Sequence, residues 1–109
     1  MKHIFLAALF FIASISSAAE SDKYKHCVAR SRVYVRVATL RDAGFSPQEA
    51  WAKFISADAA FPGTSKDERK AIANQIYFDP DYDRAGGDAF FEQVVRRCME
   101  SPNKWTPLK

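Results

Sequence analysis

Two cysteines, Cys27 and Cys98, stand near the opposite ends of what becomes the mature chain, and no third competes with them. The residues ahead of them send both to an oxidising compartment. Lys2 and His3 give a short positive start, Ile4 to Ala13 run almost wholly apolar, and small residues follow to Ser17-Ala18-Ala19. That three-part layout is expected of a secretory signal, residues 1–19, with cleavage after Ala19 or Ala18. The apolar run is too short to span a bilayer, so the processed protein is expected not to be membrane-spanning and to reside in the periplasm or outside the cell. In such a compartment one Cys27–Cys98 disulfide is the default, because neither cysteine has the C-x-x-C spacing of a redox pair.

Removing 19 of the 109 residues leaves 90, enough for one modest core and no second domain. A hydrophobic fraction of 48% and an aromatic fraction of 14% exclude a disordered chain. The leader takes away only Lys2, so the mature balance falls from the precursor's +3 to +2. So small an excess does not indicate a nucleic-acid partner.

From Asp22 to Asp42, Tyr24, Cys27, Val28, Ser31, Tyr34, Val35 and Ala38 recur at steps of three and four, with Val33, Val37 and Leu40 on the flank. This predicts a helix buried on two sides. Arg32 to Val37 also alternates with period two, as an edge strand would, but the helical period extends over the wider window. Gly44 ends the helix. Ser46-Pro47-Gln48-Glu49 opens a second, with Ala50, Trp51, Phe54 and Ile55 inward; Ser65-Lys66-Asp67-Glu68 opens a third, with Ile72, Ala73, Ile76 and Tyr77 inward. Pro80 stops the third. Asp88 is expected to cap a fourth, with Phe91, Val94, Val95 and Cys98 inward and Arg96 and Arg97 at its negative end. The expectation is an all-α fold: a single domain over residues 20–109, a compact four-helix bundle whose disulfide joins the first and last helices, with an irregular tail from about 102.

With these residues placed, the chain resembles a group of small exported helical proteins of proteobacteria. The likeness is carried by Arg41-Asp42-Ala43-Gly44, by Ile76-Tyr77-Phe78-Asp79-Pro80 and by one cysteine towards each end. It implies a helical fold and an envelope location, and no particular activity. The plan is also faintly similar to the acid-stress periplasmic chaperones of the HdeA type, which implies a helical protein with a single disulfide.

Sets able to carry chemistry are sparse. His26 is the one histidine of the mature chain, so a multi-histidine metal site is out of reach, and oxidised cysteines rule out a Cys–His nucleophile. Neither G-x-S-x-G nor a glycine-rich phosphate loop occurs. Asp79-Pro80-Asp81-Tyr82-Asp83 has the alternating carboxylates of a calcium loop, but Arg84 and Phe90 fill the places where an EF-hand needs glycine and glutamate. A solvated turn is the competing reading. Paired carboxylates such as Asp81 and Asp83 could do acid–base work without a histidine. No cofactor is expected.

Lys25, Arg32 and Arg36 lie on the outward arc of the first helix, either as an ordinary solvated face or as a stripe for an anionic partner. Phe78, Phe90 and Trp105 fall off the inward stripes and either fold back over the core or mark an interface. Elimination favours a non-enzymatic protein-interaction module of the inhibitor or toxin-neutralising kind. The alternative is a general envelope or stress protein that contacts anionic lipid or unfolded clients.

Overall fold

A computed structural model describes the backbone of residues 2–100 and the side chains of residues 21–100. The leader's side chains and the tail expected from 102, with Trp105, lie outside the described residues. Four helices account for the architecture: α1 (Lys2–Asp42), α2 (Pro47–Ala50), α3 (Lys66–Phe78) and α4 (Phe90–Glu100). Among the described residues there is no strand, and Arg32–Val37 is helical. Among them, too, no helix is long and apolar enough to cross a membrane.

α1 is the central element and packs against α2, α3 and α4. Both rows of its apolar residues are used: Val33, Tyr34, Val37, Ala38 and Leu40 join Ile72 and Ile76 of α3 and Phe90 and Val94 of α4 in one core. Burying each of these large side chains contributes about 1.5–3 kcal/mol. Tyr24, expected on the inward face, is 52% exposed, and the buried stretch of α1 begins at Cys27. The disulfide links α1 to α4 with Cα atoms 5.6 Å apart, and both cysteines are buried. It is compatible with an oxidising compartment.

Gly44, at φ +93°, supplies the left-handed residue that ends α1. At α3 the expected capping box is complete: the Glu68 N–H donates to Ser65 Oγ, and the Ser65 N–H donates to Glu68 Oε1. α2 is shorter than its sequence implies. After one α-turn, residues Trp51–Ile55 widen into a π-turn, in which the Ser56 N–H donates to the Trp51 carbonyl at 3.0 Å.

α4 starts later and in a different phase than expected. A turn in which the Phe90 N–H donates to the Gly87 carbonyl (3.3 Å) occupies Asp88 and Ala89. Asp88 therefore stays exposed and does not cap the helix. The buried stripe is Phe90, Val94 and Cys98, while Phe91 and Val95 are half-buried on its flank. Phe90 thus belongs to the core, edge-on to Tyr34 at 6.3 Å, whereas Phe78 is 66% exposed.

Candidate functional site

A concave, largely apolar surface runs along the outer side of α1, where the connection between α2 and α3 faces it. A groove of about 610 Å³ has Val35, Phe54 and Phe61 on its apolar walls and Arg32, Arg36 and Lys53 as its charged groups. A shallower depression of about 560 Å³ continues towards the start of the body, past Lys25, His26 and Tyr24, and shares Arg32, Ala29 and Pro62 with the first. No carboxylate lines either one among the described residues. The stripe expected from the sequence, Lys25, Arg32 and Arg36, is therefore the exposed cationic border of one continuous depression.

Each wall has a local cause. Arg32 and Arg36 are one helical turn apart, so they project to the same side of α1 while Val33 and Val37 turn to the core. Phe54 sits in the π-turn, edge-to-face with Phe45 at 5.3 Å, and the Arg36 guanidinium lies 5.3 Å from the centre of its ring. That cation–π contact is worth about 0.5–1 kcal/mol at an exposed site and fixes where the charge stands. The opposite rim is brought close by Gly63, at φ +86°, where an added Cβ would stand 3.2 Å from the Ala29 Cβ. Any side chain at 63 would push this rim away from α1.

Behind the rim lies the group that holds it. Arg69 is fully buried on the inner side of α3 and spends its guanidinium on the connection before that helix. Its Nε donates to the Ile55 carbonyl (2.8 Å), Nη1 to the Thr64 carbonyl (2.9 Å) and Nη2 to the Ser56 carbonyl (3.2 Å), and Nη2 also pairs with the Asp58 carboxylate. A planar five-donor fork suits several carbonyls at once, which a lysine could not match. Its residue type does not mark Arg69 as a buried group. The signal was the α3 stripe itself, since Ile72, Ala73 and Ile76 extended back by one turn reach position 69.

The second cationic hub, Arg41, joins two stretches of the chain, 41–44 and 76–80. Its Nη1 donates to the Ile76 (3.1 Å) and Tyr82 (2.7 Å) carbonyls, and its Nη2 to the Ala85 carbonyl (2.7 Å). The Tyr77 hydroxyl donates to the Phe45 carbonyl at 2.8 Å. The strings at 41–44 and 76–80 thus meet, and what they encode is how α1, α3 and the following turn are joined.

The remaining candidates are dispersed. His26 is exposed, its Nε2 3.4 Å from Glu68 Oε2, and Arg30 reaches the same carboxylate at 2.9 Å. Burial alone would raise the Glu68 pKa, but the Ser65 N–H, the Arg30 guanidinium and nearby His26 outweigh it and hold the carboxyl below its ordinary value. The Asp79 side chain accepts from the Asp81 N–H (3.0 Å) and caps the short turn Pro80–Tyr82, whose Tyr82 is buried against Tyr34, while Asp81 and Asp83 point to solvent. Among the described residues no three His, Cys, Asp or Glu side chains gather where they could hold a metal ion. Set against known proteins, the chain matches no family model, no curated protein and no solved structure.

Proposed function

We propose that this chain is an exported protein-interaction module, working in the periplasm or outside the cell, which recognises another protein by stoichiometric binding in the manner of an inhibitor or toxin-neutralising partner. The single observation that carries the reading is the α1 groove: three cations set around an aromatic-walled depression, on a helix fastened by a core and a disulfide. Arginine and aromatic side chains are the ones that protein interfaces concentrate at their energetic centres. A rigid support keeps the ordering cost of binding low.

Affinity capture of the processed, oxidised protein from its own envelope fraction, with mass spectrometry of what is retained, tests this. One protein held in equimolar amount is the expected result. No retained protein, with salt-sensitive adsorption to anionic vesicles instead, would replace the reading with that of a general envelope protein contacting lipid.

A further inference from the structure

Resting on that reading, we infer that the α1 groove receives an acidic peptide segment of the partner with a large apolar side chain at its centre, the carboxylates meeting Arg32, Arg36 and Lys53 and the apolar group entering between Phe54 and Phe61. Charge complementarity is the first reason. Arg32 and Arg36 have no acidic partner among the described residues, and Lys53 has only a loose pairing with Glu49 at 3.7 Å, exposed on both sides. A carboxylate from outside therefore displaces little but water, and a guanidinium can take it through two parallel hydrogen bonds. Arg36 is already held against Phe54, so less side-chain freedom is lost when it binds.

The shape of the groove is the second reason. Its volume, about 610 Å³, lies within the range of pockets that enclose a ligand group, and its apolar surface is recessed between α1 and the 57–62 connection. A lipid bilayer requires the reverse arrangement, an apolar helix face turned outward with cations beside it. Here Val33, Tyr34, Val37, Ala38 and Leu40 of α1 face the core, while Val35 and the rings of Phe54 and Phe61 line the recess, where a protruding side chain can reach them and a flat surface cannot.

The test uses the full processed protein with a fluorescently labelled hexapeptide of glutamates around a central Phe-Leu pair, read by anisotropy at low and moderate salt. Three further probes accompany it: the same peptide with glutamines for glutamates, the same with alanines for Phe-Leu, and phosphatidylglycerol vesicles. Expected are binding to the acidic apolar peptide at least tenfold tighter than to either altered peptide, weakening with salt, and a drop of at least tenfold in the R32E/R36E variant, with R32Q/R36Q between. Both positions are exposed, so a far-UV spectrum and melting temperature like the parent's show that the variants fold.

Equal affinity for the neutral peptide, an unaffected R32E/R36E variant, or adsorption to vesicles without peptide binding would overturn the inference. The two proposals fail separately. A partner captured equally well by R32E/R36E removes the groove assignment and leaves the interaction module standing, whereas absence of any captured partner removes the module itself.

Discussion

The α1–α4 seam and the connection from Trp51 to Thr64 are both fastened to the same core, by opposite means. Along the seam the tie is chiefly covalent and apolar: the Cys27–Cys98 bond and Phe90 and Val94 against α1, with polar stitches from the Ser31 hydroxyl to the Phe91 carbonyl at 2.7 Å and from Lys23 Nζ to the Met99 carbonyl at 2.8 Å. The connection buries only Ile55 completely and relies on one guanidinium, that of Arg69, to collect its carbonyls. The difference teaches where a small domain can place a working surface. A segment poor in apolar burial can still hold a defined course if a buried cation satisfies its backbone, and its outer side is then free to form a wall of the groove.

Breaking the covalent tie has the largest expected effect. Replacing Cys27 and Cys98 by serine releases a closed loop of 71 residues and lowers unfolding stability by about 4 kcal/mol, which a urea titration measures. In a domain of this size the loss is comparable with the whole net stability.

Arg69→Ala comes next, at about 3 kcal/mol, because it leaves the carbonyls of Ile55, Ser56 and Thr64 without their donor. Amide hydrogen exchange gives the sharper readout. In Arg69→Ala protection falls across 51–64 first, while α1 and α4 keep theirs; uniform loss would erase the contrast between the two regions. Arg69→Lys, which keeps the charge without the fork, is expected to recover only part of the loss.

Tyr34→Phe is a smaller perturbation, about 1 kcal/mol, since it deletes the 2.5 Å hydrogen bond to Gln75 Oε1 and preserves the ring packing. In the parent protein, burial and the neighbouring Tyr82 push the Tyr34 hydroxyl above the ordinary phenol range, outweighing Arg30. The folded state therefore resists ionisation that the unfolded chain undergoes near pH 10, and stability falls as pH rises beyond that value.

The smallest effect is at Glu68→Gln, which keeps a side chain able to complete the capping box and removes only the charge shared by Arg30 and His26. The folded carboxyl titrates below its ordinary value, so its contribution is present above about pH 4.3 and is lost as pH falls through the folded value. The variant should be about 0.5 kcal/mol less stable at pH 7 and level with the parent in strong acid. Thermal melts of both proteins at pH 7 and pH 2 decide it.

How far the sequence anticipates each region follows the same division. The seam was legible because its signals are local or arithmetic: the helical period of α1, Gly44 as a stop, the Ser65–Glu68 box, and two cysteines with only each other to pair with. The phase of α4 was not legible, because Asp88 is a good cap by composition, and a backbone turn closed on Gly87 takes the position it would have needed. The connection was harder still. The π-turn is a local widening that no residue of 51–55 announces, and although the α3 stripe extended back one turn reaches Arg69, the carbonyls of Ile55, Ser56 and Thr64 that receive its guanidinium have no sequence signature. Of the groove, the cationic border Lys25, Arg32 and Arg36 could be read from its spacing, but Lys53, Phe54 and Phe61 could not be joined to it without knowing how the connection crosses α1.

The staple between the opening and closing helices also sets an order of events. A polypeptide made amino end first presents Cys27 well before Cys98 is there to receive it. During that interval α1 lacks both its mate in the seam and its covalent clasp, and its two apolar rows have nothing complete to close upon. A chain halted short of α4 lacks Phe90, Val94 and Cys98, so the seam and its bond close only once the last helix is present.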